Sequence, residues 1–443
     1  MLSRRLLISL VSILVVSGLG ACATYGDWVG DMEQQIAHDQ PNKALEILAK
    51  RRQPARDAVL NLLNKAMLLR MDGQFANSNA DLESAKHLID KLTITSISEQ
   101  TGALAINDTL RSYVGDPYEQ VLLHVYAALN YLEMGELDNA RVEALQLDVK
   151  LNQLTDDGFD EDAFARYLTG MIYEALREWD DAMIAYRKAY EAYQGYPQSL
   201  AMAVPDFLRQ DLLRLTQRLG LTAELERYQQ QFGWDANELD GIQEHNGELI
   251  FLLHSGLAPL KREVVTAAFT ESGQAVTIAM PYYLPRRSTI VTAQLHVDGA
   301  TVATELGENI NTLAIASLEK QKPAILARAI ARAVLKSKAV RETRKNDEAL
   351  GFFINIVGVV SERADTRSWS TLPNRIYFAR LPLPPGQYDL TADLLGRSGD
   401  ILQRREYNDI EIKTGEKRFL SLHKVVFDDL AVPEPYLSRR HRH

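Results

Sequence analysis

A spaced series of small and aromatic residues recurs through the first half of this chain and limits its fold more than any other feature. Gly170, Tyr173, Ala182, Tyr186 and Ala189 form the clearest copy. Ala128, Tyr131, Gly135, Ala140, Ala144 and Leu147 precede it, and Ala66, Leu69, Gly73, Leu82 and Ala85 come earlier still. Ala44 and Leu48 fit the second helix of a degenerate first unit. Two antiparallel helices approach closely only where one offers Gly or Ala and a tyrosine or leucine fills the space alongside. One such unit cannot bury its own apolar face, so the pattern requires several to stack on a continuous core. The expected product is an α-solenoid with a concave groove, the surface on which such arrays hold a partner.

The spacing is that of a tetratricopeptide (TPR) helix pair. From Ala140 to Ala182 it runs about eight residues over the roughly 34-residue period of that motif, and the excess falls on the acidic run Asp156 to Asp162. That run lacks the ligand order of a calcium loop. It reads instead as a solvated loop whose aspartates cap a helix starting near Asp160. Tyr186, Tyr190 and Tyr193 follow at helical spacing, with Tyr167 and Tyr173 upstream. Such a stripe is chiefly core, but an amphipathic phenol also suits a binding groove. Tyr131, Tyr173, Tyr190 and Tyr193 are accordingly the candidate partner contacts.

The N-terminus has a different chemistry. Arg4 and Arg5 precede an apolar stretch from Leu6 to Val16, which ends in Ser17-Gly18-Leu19-Gly20-Ala21-Cys22. A stretch this short, with a cationic front and small residues behind it, predicts a signal peptide over residues 1–21 rather than a spanning helix. Leu19-Gly20-Ala21-Cys22 resembles the bacterial lipobox, which implies acylation of Cys22. Cys22 is also the one cysteine in 443 residues, which excludes an internal disulfide. More than one acyl chain makes a stable anchor where a single chain is marginal. Ala23 follows in place of the aspartate that retains such proteins at the inner membrane, so the resemblance implies an outer-membrane, periplasm-facing location. The formal charge of −10 becomes more negative once the two arginines are removed. An acidic body argues against nucleic acid as a partner.

After Trp234 the helical period gives way to alternation and short apolar runs. The boundaries expected are a lipid-anchored linker over 22–40, a TPR-like helical domain over 41–235, a β-rich domain over 247–430 and a mobile tail over 431–443. Candidate strands are Glu248 to His254, Ala275 to Met280, Ile290 to Val297, Val302 to Glu305, Arg375 to Arg380, Tyr388 to Leu394, Leu402 to Ile412 and Lys417 to His423. Asp298-Gly299 is a hairpin signal. The second half is thus expected to be an antiparallel, sandwich-like β domain interrupted by a helical insert at about 310–346, with Leu326, Ile330, Ala333 and Val340 facing inward. Arg328, Arg332 and Lys336 form a basic stripe on that helix, a candidate contact for anionic lipid or glycan and otherwise a solvated face. The apolar run Ala349 to Val360 is too short to span a bilayer and reads as a buried element. It leads to Asp365, Arg367 and Trp369, which read either as a glycan platform or as a tight loop with a tryptophan plug.

Tyr118 to Tyr126, Ala128 to Leu132, Ala140 to Ala144 and the Ala364 to Pro373 loop together resemble an uncharacterised family of TPR-containing bacterial lipoproteins. The resemblance implies the two-part layout and an envelope location, and it brings no catalytic residues. The sequence contains no G-x-S-x-G, H-E-x-x-H, P-loop or dinucleotide fingerprint, and no second thiol. The reading is therefore a multidomain, non-enzymatic adaptor, α then α+β, without cofactor or metal. It binds an envelope protein through the TPR groove while its lipid holds it to the membrane. The alternative is a peptidoglycan- or glycan-binding module that uses the C-terminal domain.

Overall fold

The computed structural model describes residues 25–51, 53–98, 111–196, 202–234, 246–269, 275–346 and 363–426. The signal segment, Cys22, the 235–245 boundary, the apolar run at 349–360 and the 431–443 tail lie outside the described residues. Ten helices precede the first strand among those described: α1 (Tyr25–Ala37), α2 (Pro41–Lys50), α3 (Ala58–Met71), α4 (Phe75–Ser98), α5 (Pro117–Glu133), α6 (Leu137–Asp156), α7 (Ala163–Ala175), α8 (Trp179–Gly195), α9 (Asp206–Arg218) and α10 (Thr222–Phe232). Each packs on the next in the chain, and α5 also touches α7. This is the stacking the small/aromatic pattern demands. Gly170 on α7 shows the reason at atomic scale: a Cβ there would lie 2.3 Å from the Tyr186 ring on α8. Helix starts and turns follow local chemistry. Asp116 and Glu119 form a capping box around Pro117 at the head of α5. Asp162, two residues beyond the expected Asp160, caps α7 by accepting the Ala165 amide at 2.8 Å.

The expected 22–40 linker is corrected. Residues 25–37 form α1, whose Met32 and Ile36 are buried against Ala44, Leu48, Leu68, Leu257 and Val425. These apolar residues lie one helical turn apart, so the segment has a face to bury.

The strands are β1 (Gly247–Ser255), β2 (Leu260–Phe269), β3 (Ala275–Leu284), β4 (Thr292–Val297), β5 (Ala300–Ala303), β6 (Glu305–Asn309), β7 (Arg375–Leu383), β8 (Gly386–Leu395), β9 (Ile401–Ile412) and β10 (Lys417–Lys424). They form sheets of order β10-β1-β7-β6 and β5-β4-β8-β9 and a separate β2-β3 hairpin. Asp298 and Gly299, at φ of 48° and 77°, make the β4–β5 turn. The all-antiparallel expectation fails at one pair: β1 and β10 run parallel, because the chain returns from β9 to the edge of the first sheet. β2 and β6 were not among the candidate strands.

The layering follows from residue parity along β1 and β7. Leu249, Phe251, Leu253, Tyr377, Ala379 and Leu381 face the second sheet, sharing a core with Leu295, Val297, Leu390 and Leu394. Their alternates Ile250, Leu252, Ile376 and Phe378, with Phe419 of β10, join the helical core instead. The first sheet is thus a middle layer, which explains why every residue of β1 is buried. Helix α11 (Ile310–Asn346) leaves β6 and packs on β3.

Candidate functional site

The inner face of the helical array does not form an open groove. Helix α5 packs against β10 and α11, and α7 against β6, so the chain's own C-terminal half fills the position assigned to a partner. Three of the candidate tyrosines are buried, Tyr193 against the β part and Tyr190 against Tyr228 and Phe232 of α10. Tyr193 donates to the Gly307 carbonyl at 2.7 Å, Tyr190 is bonded to Gln194 and Gln231, and Tyr173 is 8% exposed. Tyr131 remains half-buried. Burial of Tyr173, Tyr190 and Tyr193 corrects their assignment as partner contacts, since a phenol enclosed by its own chain offers no surface.

The glycan platform is also corrected. Trp369 is fully buried, at 6.1 Å edge-on to Tyr126. Arg367 bonds Asp365 at 2.6 Å, Asp57 at 2.7 Å and the Arg111 carbonyl at 3.0 Å. Glu119 accepts the Trp369 amide at 2.7 Å. These residues tie the loop to the helical half and present no stacking face to a sugar. The basic stripe is broken as well. Arg332 is buried and Arg328 half-buried, both with partners, and the side chain of Lys336 is outside the described set. Leu326, expected inward, is 37% exposed, whereas Ala329 packs on Ile278. Ala333, also expected inward, packs beside Ala329 on Ile278, while the first half of the helix joins the helical core through Ile310, Leu313, Ala314 and Leu318.

A buried ionic cluster joins the halves. Arg380 of β7 donates to Glu248 of β1 at 2.6 and 2.8 Å and to Glu174 of α7 at 3.2 Å, and it pairs with Asp211 of α9. Arg214 pairs with Glu174 at 2.5 Å, and Lys417 of β10 reaches the same carboxylate at 3.1 Å. The three cations match the three carboxylates, so the cluster is electroneutral. Burial disfavours the charge on Glu248, yet Arg380 and Lys417 outweigh it and hold its pKa down at about 2.

The concave feature with unsatisfied polar chemistry lies elsewhere. A cavity of about 590 Å³ opens where the α1–α2 turn, the end of α3 and the edge strands β9 and β10 meet. The parallel register of β1 and β10 sets His254 beside His423, with rings stacked at 6.0 Å and 24°. Both rings line this cavity, together with Arg70 and Arg405. His254 is 1% exposed. Burial first, then Arg70 and His423, push its pKa well below the usual histidine range, so the ring is neutral. Its Nδ1 is 3.1 Å from the Tyr126 hydroxyl, and its Nε2 has no hydrogen-bond partner among the described residues. The Nε2 of His423 and the Nε of Arg405 are likewise unpartnered. Sequence reading missed this site. Its residues are dispersed from position 36 to position 423, and the only local signal is a histidine closing the apolar strand Leu249 to Leu253.

Among the described residues no group of three or more His, Cys, Asp or Glu is placed to hold a metal, and no helix is long and apolar enough to cross a membrane. The stacked helix pairs joined by glycine and alanine contacts define a TPR-like repeat array followed by a β-rich part. No protein-family model and no curated protein matches the chain. Solved structures similar to it are TPR-like. The crystal structure of MamA matches at a TM-score of 0.30 and 15% identity, covering 49% of this chain and 95% of that one. BtubC from P. vanneervenii matches at 0.31 and 15%, covering 48% and 73%. A Podosopora anserina chain of nearly identical TPR-like repeats, of kinesin light chain type, matches at 0.30 and 13%, covering 47% and 90%. These likenesses concern helical arrangement over about half the chain and transfer no function.

Proposed function

We propose that this protein is a non-enzymatic, lipid-anchored adaptor of the bacterial cell envelope. It is acylated at Cys22, held at the outer membrane on its periplasmic side, and docks an envelope protein by its outer helical face. The observation that carries the reading is the occupied inner face. Because the first sheet fills it, the helical array has only its outer surface to offer. There Val142, Leu145 and Val149 lie along one side of α6 at 50%, 44% and 68% exposure, and Ile184 of α8 is 49% exposed. The ion pairs Arg141–Glu178 at 2.8 Å, to the residue that caps α8, and Lys188–Asp148 at 3.5 Å give this apolar strip a charged border. An exposed apolar strip with a polar border is the usual composition of a protein contact. The lipobox-like segment supports the anchor, and the acidic composition supports a soluble body away from nucleic acid.

The test is photocrosslinking in cells from Val149 and Ile184, with Tyr173 as the buried control, in native and Cys22→Ser backgrounds. The expected result is a discrete protein adduct from the two outer positions that disappears without Cys22. Adducts from Tyr173 alone, or none from the outer strip, would reject this docking face.

A further inference from the structure

We propose that the cavity between the α1–α2 turn and the β9–β10 edge is a binding site for a small organic anion, one oxyanion group attached to an apolar body. The inference is independent of the anchoring and docking reading above.

The donors argue for the anionic end. Among described residues the Tyr126 hydroxyl has His254 Nδ1 as its hydrogen-bond partner. The Tyr126–His254 bond fits either imidazole tautomer; in the one where the phenol donates to Nδ1, the single ring hydrogen sits on Nε2, a buried atom without a partner among the described residues. A buried donor left unpaired costs about 1–3 kcal/mol, and a bound ion or water is one of the partners that offsets that cost. The Nε of Arg405 is in the same state. Helix α2, ten residues long, starts at the cavity with Pro41, Asn42 and Lys43 lining it; Pro41 has no N–H and the Lys43 and Ala44 amides donate to the Gln40 carbonyl, so what this end adds is the positive pole of the helix dipole.

Of the two acids that line the cavity, Asp39 is countered by cations and Asp72 is held by a neutral amide. Asp39 pairs with Arg405 at 2.9 Å and with Lys424, and Asp72 accepts Gln74 Nε2 at 2.6 Å. Arg70 is held at the back by Asn130 at 2.5 Å, Ser421 at 2.8 Å and Glu133 at 3.7 Å. It contributes a fixed positive charge and keeps its geometry without ligand. The apolar end has its own wall, formed by Ile36, Met71, Phe75 and Leu422. A volume of about 590 Å³ falls within the roughly 300–1,000 Å³ of small-molecule sites. A bare inorganic ion would leave that wall unused.

Calorimetric titration of the purified full-length protein tests this with phenyl phosphate, benzoate and inorganic phosphate. Phenyl phosphate and benzoate separate a phosphate ester from a carboxylate, and inorganic phosphate tests whether the apolar body matters. The expected result is saturable binding of one or both aromatic anions, tighter than inorganic phosphate, with affinity falling about tenfold or more in Arg405→Met. Arg405 sits partly at the surface, so this variant folds even where His254→Gln does not. Lys65→Met, in a surface pair with Asp81, leaves affinity unchanged. A ligand-dependent shift of the His254 ring nitrogens in NMR accompanies binding. No saturable binding by any of the three anions at millimolar concentration overturns the proposal. So does binding that Arg405→Met leaves intact.

Discussion

Single residues in this molecule carry strained electrostatics with a definite sign. Glu308 is fully buried beside Asp162. Burial first, then the Asp162 charge, raise its pKa well above 4.5. Glu119 is raised to about 7, again by burial and then by Asp116. Both acids prefer to be protonated in the folded chain. Their contribution to stability is therefore complete below the unfolded value of 4.5 and is lost as pH rises through the folded pKa. Glu308→Gln keeps the shape without the charge, and its amide suits the Asp162 carboxylate. The expected outcome is a melting temperature that falls less steeply than in the parent protein as pH rises above 4.5. A melting series of the two proteins against pH checks it; equal slopes reject the raised pKa of Glu308. No sequence pattern announced this pair, because Asp162 and Glu308 are distant in the chain and only the contact of α7 with β6 joins them.

At the scale of elements, the helix pairs depend on places where a side chain is missing. Gly170→Ala puts a methyl into the Tyr186 ring at 2.3 Å. The ring is enclosed and its hydroxyl is bonded to Glu174, so it has little freedom to yield. Overpacking of this kind costs about 1–3 kcal/mol, read as a lower urea midpoint with an unchanged slope. The pairs α3–α4, α5–α6 and α7–α8 were legible because glycine or alanine opposite an aromatic is a local requirement of helix contact. Most strands were legible because alternation is local too. β2 and β6 were not. β2 alternates weakly through Arg262, Glu263 and Thr266, and β6 contains Gly307, whose value is close approach to Phe164 and Phe378 rather than strand propensity.

For the whole molecule, the question is whether the two halves unfold together. Arg380 is bonded to Glu174, Asp211 and Glu248, on two helices and a strand. Arg380→Met leaves buried carboxylates uncompensated and is expected to cost about 3–5 kcal/mol. The depressed pKa of Glu248 adds a pH signature of the opposite sign to that of Glu308. Its stabilisation is present above the unfolded value of 4.5 and is lost as pH falls towards about 2. The parent protein should therefore lose stability through that acid window, and Arg380→Met should lose less. Denaturant unfolding followed by far-ultraviolet circular dichroism and by tryptophan fluorescence checks both points. The parent should show coincident transitions because one core spans the helices and the first sheet. Separate transitions in the parent would show that the halves are independent bodies.

Helix pairing, the hairpin at Asp298-Gly299 and most strand positions were determined by the sequence alone, since each depends on residues within a few positions of one another. The direction of β10, the filling of the inner helical face, the burial of Trp369 and of three groove tyrosines, and the cavity around His254 and His423 were decided only in the tertiary structure. Each depends on which apolar face finds which other. A strand such as β1, apolar on both sides, states that two faces must be covered without stating by what. Here one cover is the second sheet and the other is the array of helices that would otherwise have held a partner.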